Sequence, residues 1–138
     1  MTRQIATKIK IILILFGLPA IASGQAFITT WKTDNPGSSG TTEITIPTTG
    51  AGYNYDIYWE EIGDATHFGN LTGITGNVTI DFTSIGEYRV EITGSFPRIF
   101  FNGGGDRRKI LSVEQWGSIG WTSMADAFRG CSNLVVNA

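Results

Sequence analysis

One cysteine, one histidine and two methionines are all that this 138-residue chain has of sulfur and imidazole side chains, and only 16% of its residues are charged. A single cysteine cannot close an internal disulfide, so the chain is not a disulfide-stapled mini-protein. A single histidine, His67, cannot form a histidine cluster for zinc, and no Ser-His-Asp arrangement can be assembled around it. The formal charge of −2 excludes a basic nucleic-acid binder. The longest apolar run, Ile11–Leu18, is too short to cross a bilayer. What the chain does have is 18 glycines, 41% hydrophobic and 12% aromatic residues, enough apolar surface to offset chain entropy in one ordinary domain.

The first 26 residues read as an export signal. Arg3, Lys8 and Lys10 form a basic start, Ile11–Leu18 an apolar core, and Ala20, Ala22, Ser23 and Gly24 a small-residue exit after Pro19. An Ala-x-Ala site ends at Ala22 and a Gly-x-Ala site at Ala26, and the second is preferred. The leader holds three of the ten basic residues and no acid, so the expected mature chain carries 7 − 12 = −5. That sign disfavours phosphate backbones and anionic lipid. The expected location is therefore secreted or cell-surface, with no membrane insertion after signal removal.

The middle of the chain has period two. Glu43–Ile46, Tyr53–Glu60, Val78–Phe82 and Glu87–Ile92 alternate, and in the last of these Tyr88, Val90 and Ile92 share a face opposite three charges. Turn chemistry separates them at Asn35–Gly40, Thr49–Gly52, Gly73–Asn77 and Gly94-Ser95. About six or seven strands are expected over 27–102, in a sandwich or small barrel. The run Gly103-Gly104-Gly105-Asp106 reads as a linker and Arg107-Arg108-Lys109 as a solvated basic face, since the Gly-Lys-Ser/Thr ending of a phosphate loop is missing. Beyond it, Trp121, Met124, Ala125 and Phe128 recur at helical spacing, with Ser123 and Asp126 near the start and Gly130 after the end. This predicts one short amphipathic helix over 123–129.

Trp116 and the stretch Trp121-Thr122-Ser123-Met124-Ala125-Asp126-Ala127-Phe128-Arg129-Gly130-Cys131-Ser132-Asn133-Leu134 resemble the opening unit of the BspA-type leucine-rich-repeat surface proteins. The resemblance implies a repeat core of Trp116, Trp121, Met124, Phe128, Cys131 and Leu134. Tyr55–Trp59 and Gly86–Ile92 resemble strands of PKD-like, immunoglobulin-type sandwiches, and Phe96–Phe101 the link into the repeats. The expected fold class is thus mainly β: a signal peptide over 1–26, a PKD-like sandwich over 27–103, and an incomplete leucine-rich-repeat cap over 104–138. A solenoid needs about three or more units. A single unit implies either a fragment of a longer protein or a sandwich with one vestigial repeat docked on it.

Candidate chemistry is sparse. His67 reads as a surface residue in a turn, and Cys131, between Phe128 and Leu134, as a buried structural thiol. Glu60 and Glu61 are adjacent on a strand and point to opposite faces, so they cannot flank one glycosidic bond. Asp34, Asp56, Asp64 and Asp81 read as solvated strand and loop residues, with no EF-hand spacing among them. Asn70 and Asn77 begin glycosylation sequons. Tyr55 and Trp59 are expected in the core, leaving Tyr58 on the opposite face as the exposed, ligand-facing ring. No catalytic, metal or cofactor residues are assigned. The expected function is a non-enzymatic adhesion or protein-interaction module of a bacterial surface, its partner a host or neighbouring-cell surface protein or glycan and not nucleic acid. The alternative is a carbohydrate-binding accessory sandwich.

Overall fold

The computed structural model describes residues 24–138. Most of the signal segment therefore lies outside the described residues. Alternation translates directly into strands: β1 (Phe27–Lys32), β2 (Glu43–Ile46), β3 (Asn54–Glu61), β4 (Asp64–Ile74), β5 (Val78–Asp81), β6 (Glu87–Ser95), β7 (Ile110–Gln115) and β8 (Val135–Val136). Six of these fall within 27–102, as the turn spacing predicts.

The strands form a mixed six-stranded sheet, in the order β4-β3-β6-β1-β7-β8, and a two-stranded sheet, β2-β5. All pairings are antiparallel except β7 with β8. One face of the large sheet carries Tyr55, Ile57 and Trp59 of β3, Tyr88, Val90 and Ile92 of β6, and Phe27 and Trp31 of β1, all buried. Against this face lie Ile44 and Ile46 of β2, Ile80 of β5 and then Phe82, so the two sheets close over one common core. Phe82 stacks on Tyr88 at 3.9 Å and meets the Trp59 ring edge-on at 4.8 Å. Gly69 of β4 faces Trp59 across the ladder, and a Cβ there would collide with the indole, so glycine makes room for the ring.

Three expectations change. Residues 125–130 form turns, 123 and 124 are irregular, and no helix occurs among the described residues. Asp126 sits at φ 55°, which a right-handed helix cannot accommodate. The carbonyls of Asp126, Ala127 and Arg129 instead accept the backbone N–H groups of Asn102, Phe101 and Gly103 at 2.9–3.0 Å. Tertiary pairing thus holds the segment in this non-helical path. The Ser123 hydroxyl accepts only the nearby Ala125 N–H, at 3.1 Å, rather than capping a helix.

The second change concerns the glycine-rich break at 103–106. It is no linker between separate bodies, because β7 pairs with β1 and so joins the same sheet as β6 and β3. The third concerns the basic triplet. Arg107 and Arg108 are half-buried and exposed, but Lys109 is 1% exposed. Its ammonium donates to the carbonyls of Gly40, Glu43 and Ser39 at 2.7, 2.9 and 3.3 Å and to Ser39 Oγ at 2.9 Å. Asp106, also 1% exposed, completes the node. Its carboxylate accepts the N–H groups of Ser38, Ser39 and Thr45 at 2.8, 3.1 and 2.7 Å and the Ser39 hydroxyl at 2.6 Å. Gly37 lies where a Cβ would meet the Asp106 carboxylate. Burial alone would raise the Asp106 pKa, but the hydrogen bonds from Ser39 and Thr45 and the Lys109 charge outweigh it and hold the carboxyl below its ordinary value.

Candidate functional site

The outer face of the large sheet is where the chain leaves unusual groups in solvent. Period two places Asp56, Tyr58 and Glu60 of β3 opposite the core-facing Tyr55, Ile57 and Trp59. Registration then sets neighbours. Tyr58 lies between Asn70 of β4 and Glu91 of β6, and Asp56 lies opposite Thr93. Together with Thr72, these side chains line a shallow open groove of about 430 Å³, which Gly24 and Ala26 border.

One ring, Tyr58, lines the groove, and a second, Phe68, stands beside it on the same face. The Tyr58 hydroxyl donates to Glu60 Oε2 at 3.0 Å, which holds the ring in place, and that hydrogen bond is the leading cause of its raised pKa. Phe68 stands 6.2 Å from Tyr58, centroid to centroid, and is 54% exposed. The charges nearby are mostly carboxylates. Asp56 accepts the Gly73 N–H at 2.9 Å, and Glu91 pairs with Arg89 at 3.0 Å. The face is therefore polar and net acidic, with a pair of aromatic surfaces along one side.

Tyr58 is thus placed on the face opposite Tyr55 and Trp59, and those two are buried in the core. Phe68 was not singled out by the sequence, because β4 is solvent-exposed along most of its length and shows no apolar alternation. Its pairing with Tyr58 depends on the β3–β4 register, which sequence spacing does not contain.

His67 lies in strand β4 rather than in a turn. Its Nδ1 is 2.8 Å from Glu61 Oε2, and its ring packs edge-on against Trp59 and Tyr88. A carboxylate that fixes an imidazole is half of a general-base arrangement. The nearby Ser84 hydroxyl, however, is engaged with the Tyr88 hydroxyl at 2.6 Å, and no hydrogen bond joins it to His67 among the described residues. Glu60 and Glu61 do diverge, one toward Tyr58 and the other toward His67. Asp64 and Asp81 cap local turns through Thr66 and Thr83, Asp81 also accepts the Thr42 hydroxyl from across the β2–β5 pair, and these bonds hold both carboxyls below their ordinary values. Among the described residues no cluster of three or more His, Cys, Asp or Glu side chains is placed to hold a metal ion.

The six residues of the expected repeat core are spread over different environments. Trp116, Trp121, Phe128, Cys131 and Leu134 are half-buried and pack against the main core. Trp116 stacks on the Phe27 ring at 5.9 Å, Trp121 meets it edge-on at 4.8 Å, and the two indoles lie 6.1 Å apart. Met124, by contrast, is 43% exposed, and the interior place beside Phe128 goes to Ala127, 1% exposed. The positive φ at Asp126 shifts the face that this segment turns inward. Burial pushes the Cys131 thiol up to about 11, so it stays protonated at neutral pH and is a poor nucleophile.

The arrangement can stack and hydrogen-bond a ligand, and it offers no assembled nucleophile. No family model, curated protein or solved structure matches the chain.

Proposed function

We propose that this chain is an exported, non-enzymatic surface module for adhesion or protein interaction. In this reading an immunoglobulin- or PKD-like sandwich stands at the start of a stack of leucine-rich-repeat-type units. The observation that carries it is the pairing of β8 with β7. These are the only parallel neighbours among the described residues, and Ser112 faces Val135 with an offset of 23 residues (135 − 112). A solenoid is built by a chain that returns to the same sheet edge, in the same direction, after each such turn. Val135 and Val136, on that edge strand, are 57% and 52% exposed. A further unit stacked there would cover them.

The export part of the reading rests on the basic, apolar and small-residue layout of the leader. The segment just before β1 bears on where the leader ends. The Gln25 carbonyl accepts the Ser118 N–H at 3.0 Å, and the Ala26 carbonyl accepts Gln115 Nε2 at 2.9 Å. Cleavage after Ala26 would remove both contacts, whereas cleavage after Ala22 would keep them. We therefore favour Ala22.

The repeat part is tested by the genomic reading frame that follows codon 138. It is expected to encode further Met-x-x-x-Phe-x-x-Cys-x-x-Leu units at the usual leucine-rich-repeat period of about 20–29 residues. A stop codon there, or unrelated sequence, would contradict the repeat reading while leaving export open.

A further inference from the structure

We propose that the groove on the outer face of the large sheet is a binding site for neutral, hexopyranose-containing glycan. The proposal rests on the reading of this chain as a binding module and names the ligand class of its exposed site. It starts from the pair of rings. Tyr58 and Phe68 are 6.2 Å apart on one face, and Phe68 is more than half exposed although nothing in the fold requires an aromatic ring there. A pyranose offers an apolar face of C–H groups that packs on such rings, with hydroxyls around its rim.

The groove supplies partners for those hydroxyls. Asp56 and Glu91 only accept hydrogen bonds, while Asn70, Thr72 and Thr93 both donate and accept. All five stand within one or two rungs of Tyr58 in the ladders of β3 with β4 and β6. The Tyr58 hydroxyl is already held by Glu60, so the ring needs little further ordering on binding.

Charge selects among glycans. Asp56, Glu60 and Glu91 surround the ring, and the nearby cation, Arg89, is paired with Glu91. Uronate, sialate and sulfate groups would be repelled by this field. The same carboxylates argue against a protein as first ligand, because the centre of a protein–protein interface is depleted in charge.

The test is affinity electrophoresis of the full exported chain through gels containing neutral polysaccharides (hydroxyethylcellulose, galactomannan, starch) or anionic ones (polygalacturonate, heparin). Retardation is expected on at least one neutral polysaccharide and on neither anionic one. Tyr58→Ala and Phe68→Ala should each weaken it about tenfold or more. Tyr58→Phe, which keeps the ring, should retain it. Both rings lie outside the core, so unchanged circular dichroism is expected for all three variants. The proposal is overturned by absence of retardation on every neutral polysaccharide, by preference for the anionic ones or for added polylysine, or by retardation that survives Tyr58→Ala. None of these results touches export or the repeat array, so failure here is distinguishable from failure of the broader reading.

Discussion

Asp106→Ala is expected to lower the stability of the folded chain by about 3–5 kcal/mol, the range for removing one partner of a buried charge pair. The carboxylate receives three backbone N–H groups and the hydroxyls of Ser39 and, at 3.4 Å, Ser38, and its loss leaves these donors without their shared acceptor. It also removes the counter-charge nearest in effect to the Lys109 ammonium, to which it is linked through the Ser39 hydroxyl. A small domain has about 5–15 kcal/mol in total, so this single change consumes a large share. Asp106→Asn should be milder, but its amide would turn a donor toward either the Thr45 N–H or the Ser39 N–H. Urea denaturation, followed by the fluorescence of the buried tryptophans, measures the difference.

The same residue makes a pH prediction. Its native pKa lies below the ordinary value of 3.8, so the unfolded chain takes up the proton first as pH falls. The stabilisation is therefore complete well above pH 4 and is lost as pH drops through the depressed native value. Asp64, Asp81 and Glu114 are shifted in the same direction, so the Asp106→Asn variant should show a shallower acid-side slope rather than none. An unchanged slope would remove Asp106 from the account of acid stability.

Trp31→Ala is the second large effect, at about 3–5 kcal/mol for an aromatic side chain removed from a close-packed core. Trp31 is fully buried, lies 5.9 Å from the Phe101 ring, and donates its indole N–H to Thr29 Oγ1 at 2.7 Å. Its strand is the hinge of the architecture, because β1 pairs with β6 on one side and with β7 on the other. The variant should therefore lower one cooperative unfolding transition that covers both the 27–103 and 104–138 segments. Two resolved transitions in the parent protein, with 104–138 melting on its own, would contradict this shared sheet.

The sequence made part of this architecture visible and hid the rest for physical reasons. Strands β2, β3, β5 and β6 each have one wet and one dry face, and that alternation is written in Ile44 and Ile46, in Tyr55, Ile57 and Trp59, and in Tyr88, Val90 and Ile92. Strand β4 has no dry face along most of its length, so it carried no such signal, and with it Phe68 and the strand setting of His67 were missed. The Asp106–Lys109 node was hidden because its partners are more than 60 residues away in the chain. A glycine-rich run beside three cations has the local look of a solvated linker. The helical spacing around Met124 and Phe128 was real as a pattern, but the positive φ at Asp126 breaks a helix there and the carbonyls of Asp126, Ala127 and Arg129 pair with the N–H groups of Asn102, Phe101 and Gly103, so local periodicity yielded to tertiary structure. Tyr58 was legible because its two neighbours in the chain, Ile57 and Trp59, face the core.

The claim on which the rest depends is that the chain works outside the cell, with its docked N-terminal segment intact. Intact source cells can be fractionated and the protein from the surface and extracellular fractions subjected to N-terminal sequencing and mass measurement. The account predicts that the protein is found there, without its leader and beginning at Ser23, so that Gln25 and Ala26 keep their contacts with Ser118 and Gln115. A full-length chain beginning at Met1 and confined to the cytosol would contradict it.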